Sequence, residues 1–314
     1  MRAAAILGPG NTAEAAARFQ HLSGVQWVSL SEQADAAVVF GGDGTIHRHL
    51  STLADGKIPA LVVPCGSGND FARALGIRGM SDAVAAWEKF ASGCEARSID
   101  LGVISSDLPQ GLKPRDRTQS FGTAEAVPFP SGDEGSHLSQ NQRDMGHPDK
   151  YFCCVAGVGI DTAIARRANA LPKWLRARGG YALHTLQEIF RFAPFPMRVS
   201  QNGTLAGEFR PTLLAVAANT PVYGGGMKIA PHAQLDDGKL DLCIVEGMNV
   251  FRLFCLFPTV YFGRHLGFRE VRYQQTERIR IETESPLDVY ADGEFAGRTP
   301  VEFSVARNAL KVIA

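Results

Sequence analysis

No run of about 18 consecutive apolar residues, the length a helix needs to cross a bilayer, occurs in the 314-residue chain, so no segment reads as a membrane span. Net charge is also missing. The 32 lysines and arginines balance 32 aspartates and glutamates, which removes the overall basic character of a nucleic-acid-binding protein, and no nucleic-acid partner is expected. The six cysteines, at 65, 94, 153, 154, 243 and 255, lack CxxC pairs and knuckle spacings. Neither a disulfide nor a zinc framework is legible, and the thiols read as reduced groups in the core of a cytoplasmic protein. Met1 to Gly8 is too short for the apolar region of a secretory signal and reads as a first strand.

Glycine, by contrast, is plentiful and clustered. Ala36 to Phe40 is an apolar run with two adjacent β-branched residues, a buried strand, and Gly41-Gly42-Asp43-Gly44-Thr45 follows at once. Such a turn leaves backbone N–H groups open to close approach by a phosphate and tolerates positive φ. Asp43 is its only charge. Thr45 is placed to cap a helix carrying Ile46, Leu50 and Leu53. Tight strand-to-helix turns of any α/β domain use the same residues, so this stretch alone leaves both readings open.

A second such turn follows the strand Ile58 to Val63: Pro64-Cys65-Gly66-Ser67-Gly68-Asn69-Asp70, with a helix expected from Phe71 and with Ala74 and Leu75 on its inner side. Ligands of open α/β sheets bind at the carboxyl ends of strands, and two glycine turns at that edge favour one shared site. Strands at 3–7 and 25–30 around an alanine-rich helix at 13–19, and a helix capped by Ser81 before a strand at 97–104, complete an α/β N-terminal domain, a parallel sheet with flanking helices. Residues 105–149 are dense in Ser, Pro, Gly and charge without a period, and read as a disordered insertion. After a strand at 151–158 and a helix at 181–192, strands dominate: 196–200, 212–218, 240–245, 270–275, 277–283, 286–291 and 300–305. Many short strands with Gly-rich turns indicate a C-terminal β-sandwich domain. The expected division is 1–104, 105–149 and 150–314, the last strand being a candidate to return to the first domain, with the site in the cleft between the two.

In order, Gly41 to Thr45, Pro64 to Arg73, Gly157-Val158-Gly159-Ile160-Asp161, Tyr223 to Pro231 with Leu235-Asp236-Asp237-Gly238, and Asp292-Gly293-Glu294 resemble the bacterial diacylglycerol kinase and lipid kinase family, relatives of sphingosine kinases in the superfamily of NAD kinases. The resemblance implies an NAD kinase/diacylglycerol kinase-like fold, ATP bound between the domains, and phosphoryl transfer to a lipid hydroxyl. It implies that Gly41, Gly42, Gly44 and Thr45 lie along the ATP phosphates and that Gly66, Ser67, Gly68, Asn69 and Asp70 form the second nucleotide turn. Asp43 would sit at the Mg2+ that accompanies ATP, and Glu294 would take the proton of the acceptor hydroxyl. A separate structural metal would be held by Asp237 and the carbonyls of Gln234 and Lys239. The implied partners are a lipid substrate and a peripheral membrane surface, on the inner face of the membrane; a homodimer is compatible with the sequence.

Two departures stand out. Ser67 replaces the family's usual Thr, and Ile46-His47-Arg48 replaces its usual Ile-Asn-Glu, so that Arg48 is a candidate phosphate contact or a sign of altered nucleotide handling. Lys173 to Arg178 and Val250 to Phe262 are candidate membrane contacts, the latter reading better as a packed core helix. His184, His232 and His265 are isolated and receive no chemistry. An NAD kinase and a catalytically silent nucleotide or lipid sensor are the competing functions.

Overall fold

The computed structural model describes residues 1–30, 34–66, 68–106, 150–160, 193–204 and 207–314. Ser67, residues 107–149 of the expected insertion, Asp161, the Lys173 to Arg178 segment and the expected helix at 181–192 lie outside the described residues.

The first half runs β1 (Arg2–Leu7), α1 (Thr12–Ser23), β2 (Gln26–Val28), β3 (Ala36–Gly41), α2 (Asp43–His47), α3 (Leu50–Asp55), β4 (Ala60–Pro64), α4 (Asp70–Ala74), α5 (Met80–Ala91) and β5 (Arg97–Ser106). Strands β2-β1-β3-β4 form an all-parallel sheet in that order. Central β3 is covered on both faces, and its apolar run is accordingly buried throughout. Phe19 of α1 packs its ring 5.7 Å from that of Phe40 in β3 and 6.1 Å from that of Trp87 in α5, joining both helices to the sheet.

The second half contains β6 (Lys150–Phe152), β7 (Val155–Gly159), β8 (Phe195–Gln201), β9 (Arg210–Ala218), β10 (Leu240–Glu246), the helix α6 (Val250–Val260), β11 (Val271–Thr276), β12 (Arg278–Thr283), β13 (Asp288–Ala291), β14 (Glu294–Arg298) and β15 (Val301–Val312). The pairings within this half are antiparallel and build the β-sandwich around a second core that includes Phe152, Ile279, Ile281 and Phe303. The last strand joins the halves: β15 pairs antiparallel with β5 and β12, then meets β4 in parallel at Val312 and Ala60. Where β15 bulges between Ala306 and Leu310, buried Asp100 of β5 accepts the Asn308 N–H at 2.7 Å through Oδ1 and the Gly238 N–H at 2.7 Å through Oδ2.

Several local expectations change. Thr45 does not cap a helix: α2 begins at Asp43, Gly42 precedes it, and Thr45 is buried inside it. The helix expected to continue to Leu53 is broken after His47 and resumes at Leu50, with His49 Nδ1 2.9 Å from the Thr45 carbonyl. Ser81 is inside α5, whose start is instead closed by Asp82 accepting the Arg78 N–H at 2.8 Å. Cys153, Cys154 and Cys243 are buried, whereas Cys65, Cys94 and Cys255 are exposed, so only half of the thiols are core groups. The segment Val250 to Phe262 buries one face only, since Leu253, Leu256 and Val260 turn inward while Phe251, Phe254, Tyr261 and Phe262 are exposed.

Candidate active site

The two glycine turns lie side by side because the strands that deliver them are neighbours. Gly41 ends β3 opposite Pro64 at the end of β4, and the Cys65 N–H donates to the Gly41 carbonyl at 3.0 Å. The turns then touch through bare backbone: a Cβ on Gly66 would stand 2.7 Å from Gly42 Cα. Here glycine is required by close approach, since any side chain would push the turns apart. Thr45 packs against Gly8 and Gly41 in the same way, where a Cβ on either would collide with its side chain.

Asn69 adopts φ 56° and closes the second turn on itself, Oδ1 accepting the Gly66 N–H at 2.9 Å and Nδ2 donating to the Gly66 carbonyl at 2.7 Å. Asp43 binds the turns together. Its Oδ2 accepts the Asp70 N–H at 3.1 Å and its Oδ1 the Phe71 N–H at 3.0 Å, so it caps α4 across the turn boundary. Burial pushes the Asp43 carboxyl above its ordinary value. The Phe71 and Asp70 N–H groups pull it back only in part, and the charges of Asp70 and Asp292 add to the rise.

Asp70 extends the network to a third glycine loop. Its Oδ1 accepts Arg73 Nη1 at 2.7 Å, and its Oδ2 accepts the Gly225 N–H at 2.8 Å. Gly224, Gly225 and Gly226 have φ of 60°, 84° and 108°, a run only glycine tolerates, and the loop closes with the Met227 N–H on the Tyr223 carbonyl at 2.9 Å.

From the other domain comes the β13–β14 hairpin, with Asp292 and Gly293 both at positive φ. Asp292 points inward and its side chain is 0% exposed. Oδ1 accepts the N–H groups of Cys154 at 2.8 Å and Val155 at 3.2 Å. Oδ2 accepts the Cys153 N–H at 2.9 Å and His47 Nδ1 at 3.0 Å. Burial alone would raise this carboxyl, but the hydrogen bond and charge of His47, with the Cys153 and Cys154 N–H groups, hold it below the ordinary range. Burial opposes the charge on His47, yet Asp292 outweighs burial and His47 is raised, with Glu294 adding and Lys150 subtracting. Both shifts favour the charged forms of the pair, imidazolium for His47 and carboxylate for Asp292. Glu294 stands beside it, half-exposed: Arg48 Nη2 lies 3.6 Å from its Oε1, and a Cβ on Gly44 would lie 3.2 Å from the same atom.

The structure thus brings together Gly41, Gly42, Asp43, Gly44, Thr45, Gly66, Gly68, Asn69, Asp70 and Glu294. Gly68 backs directly onto Asp43, where a Cβ would be 2.8 Å from Oδ2. What sequence reasoning missed is two contacts made by the Ile46-His47-Arg48 departure: His47 binds Asp292, and Arg48 faces Glu294. Their signal was present as two cationic or titratable side chains just after the first turn and two acids in the hairpin.

Gln234, Asp237 and Lys239 lie elsewhere, in the loop before β10 whose Leu235 carbonyl accepts the Asp100 N–H at 2.6 Å. Asp237 Oδ1 accepts the Lys239 N–H at 3.0 Å and Oδ2 accepts Gln275 Nε2 at 3.3 Å, while Asp236 pairs with Arg97 at 2.7 Å. The side-chain cluster Cys153, Cys154 and Asp292 has metal-like proximity but the wrong chemistry. Although the Cys153 hydrogen bond favours a Cys154 thiolate, burial and the Asp292 charge push Cys154 up to about 12, and Asp292 is already saturated with N–H donors.

Residues 12–104 match the family model described as the diacylglycerol kinase catalytic domain, and residues 154–314 match the YegS C-terminal NAD kinase beta sandwich-like domain. A diacylglycerol kinase of Mycobacterium tuberculosis strain H37Rv is 32% identical over 287 residues, covering 91% of this chain and 78% of that protein. A solved structure from Bacillus anthracis strain Sterne has a TM-score of 0.68 at 19% identity, over 99% of this chain and 97% of its own. Another of that strain, titled as a diacylglycerol kinase, has a TM-score of 0.60 at 17% identity, over 99% and 96%.

Proposed function

The chain belongs to the family of the diacylglycerol kinase catalytic domain with its β-sandwich partner and is a kinase with a lipid kinase role, and we propose that it moves the γ-phosphoryl group of ATP to a hydroxyl of diacylglycerol or a related lipid. One observation carries the reading: Glu294, a half-exposed carboxylate from the second domain, stands against Gly44 in the first glycine turn. A base and a phosphate-cradling backbone then face each other across one cleft.

The residues present fit the nucleotide and its cation. Gly42 and Gly66 approach so closely that only bare backbone fits, which leaves N–H groups rather than side chains along the turns. Asp43 brings a hard oxygen into a pocket where the charges of Asp70 and Asp292 already act on it, and a divalent cation would relieve that crowding. When bound, ATP supplies the electrophilic phosphorus and Mg2+ offsets the negative charge on its phosphates. Everything else falls to the chain. Gly41, Gly42 and Gly44, with Gly66, Gly68 and Asn69, would orient the phosphates, buried Thr45 packing behind Gly41; Asp43 would hold the cation; Glu294 would accept the proton of the acceptor hydroxyl at a carboxylate oxygen. His47 fixes the hairpin through Asp292, and Arg48 steers Glu294 from solvent.

The experiment is transfer of labelled γ-phosphate from ATP to diacylglycerol in detergent micelles, with a chelator arm. Label in a lipid product that requires Mg2+ supports the reading. No lipid product, with label instead entering NADP when NAD is supplied, would reject it.

A further inference from the structure

Helix α6 presents an apolar face to solvent. Asn249 opens it by accepting the Arg252 N–H at 2.8 Å, and Leu253, Leu256 and Val260 anchor it in the core. On the outer side Phe251 is 76% exposed, and just past the helix Tyr261 and Phe262 are 42% and 72% exposed. Phe254, Cys255 and Pro258 continue the same exposed side at helical spacing. Large aromatic rings clustered in water mark an interaction surface rather than ordinary surface.

Charge indicates what covers it. Although the whole chain is balanced, the segment from Gly247 to Tyr273 holds Arg252, Arg264, Arg269 and Arg272 against a single acid, Glu270. Arg252 and Arg269 are paired to Glu270, and Arg272 to Glu246; exposed Arg264 has no ion pair among the described residues. Exposed Lys228 lies at the C-terminal end of α6, its backbone N–H donating to the Val260 carbonyl at 3.0 Å. Exposed aromatic rings with two exposed cations near one end of the helix suit an anionic bilayer surface. No helix among the described residues is long and apolar enough to cross a membrane, so α6 would lie in the interface plane. Its far end is also tied to the cleft, because Lys228 follows the Tyr223–Met227 turn whose Gly225 N–H is held by Asp70.

We propose that α6 with Tyr261 and Phe262 is the surface by which the protein lies on a bilayer carrying anionic lipid, the rings entering below the headgroups and Lys228 and Arg264 meeting lipid phosphates. The proposal deepens the lipid-kinase reading by giving the acceptor a route to the cleft, and it rests on that reading only for this purpose, since vesicle binding is measured without nucleotide.

The test is flotation of the full chain with phosphatidylcholine vesicles and with vesicles also containing phosphatidylglycerol. Wild type is expected to float with the anionic vesicles and to be released by salt. The double variant Phe251→Ser/Phe262→Ser should lose at least about tenfold in partitioning, and Arg264→Glu about tenfold on anionic vesicles, with melting temperatures kept. The ratio of transfer to vesicle-embedded over monomerically dispersed short-chain diacylglycerol should fall in both. Wild type that ignores anionic lipid, or a double variant that floats like wild type, overturns the proposal. So does sedimentation showing a dimer that the double variant dissolves without loss of vesicle binding, which would assign the face to a second copy. Absence of transfer to any acceptor, with flotation as expected, would instead count against the lipid-kinase reading.

Discussion

Replacing His47 by alanine removes the side-chain hydrogen bond that joins α2 to Asp292 across the domain boundary. Taking one partner from a buried ion pair costs about 3–5 kcal/mol when the other charge is stranded, whereas losing one hydrogen bond to a charged group costs about 1.5–3 kcal/mol. Asp292 is fully buried but keeps the N–H groups of Cys153, Cys154 and Val155, so it is not stranded. The smaller range applies, and we expect about 2 kcal/mol at pH 6. The pH dependence follows from the direction of each shift. His47 is raised in the fold from 6.5, so its contribution is complete below that value and fades as pH rises through its folded pKa. Asp292 is lowered from 3.8, so its contribution is present above that value and is lost as pH falls through its folded pKa. Urea unfolding of wild type and His47→Ala should therefore diverge most between these limits, near pH 6, and converge toward pH 9. A stability difference that is equal at both pH values, or larger at pH 9, would refute the ion pair.

Gly66→Ala places a methyl group 2.7 Å from Gly42 Cα, backbone that cannot yield cheaply; it should cost about 1–3 kcal/mol and weaken ATP binding in calorimetry. Arg48→Glu sets a like charge opposite Glu294, but both side chains are about half exposed, so the melting temperature should barely move, within about 0.5 kcal/mol, while the transfer rate falls. Asp70→Asn removes the charge that holds the Gly225 N–H and Arg73; at about 1–2 kcal/mol the loss should appear as faster amide exchange in residues 223–227.

The sequence was most legible where one physical signal acts locally. The apolar runs at 36–40 and 58–63 announced neighbouring buried strands, and the glycine clusters behind them announced turns; the observed strands end at Gly41 and Pro64, side by side. What stayed hidden depends on partners far along the chain. Nothing near Asp292 says that its carboxylate turns inward to His47, a residue 245 positions away, because a hairpin Asp-Gly is equally at home facing solvent. The break after His47 was masked because Ile46, Leu50 and Leu53 keep helical spacing across it and are all buried. Apolar residues occur on both sides of α6, Leu253 and Leu256 inward and Phe251 and Phe254 outward, so its composition suggested a core helix, and only the packing shows which face is left outside. The exposed cysteines follow the same rule, since Cys65 lies in the second turn and Cys255 on the outer face of α6.

Glu294→Gln tests the central claim most directly, because it keeps the shape of the side chain beside Gly44 and removes only its ability to accept a proton. With ATP binding measured in parallel, the expected result is nucleotide affinity close to wild type and transfer to diacylglycerol reduced by about 10²–10⁴-fold. Turnover equal to wild type would contradict the assignment of Glu294 as the base.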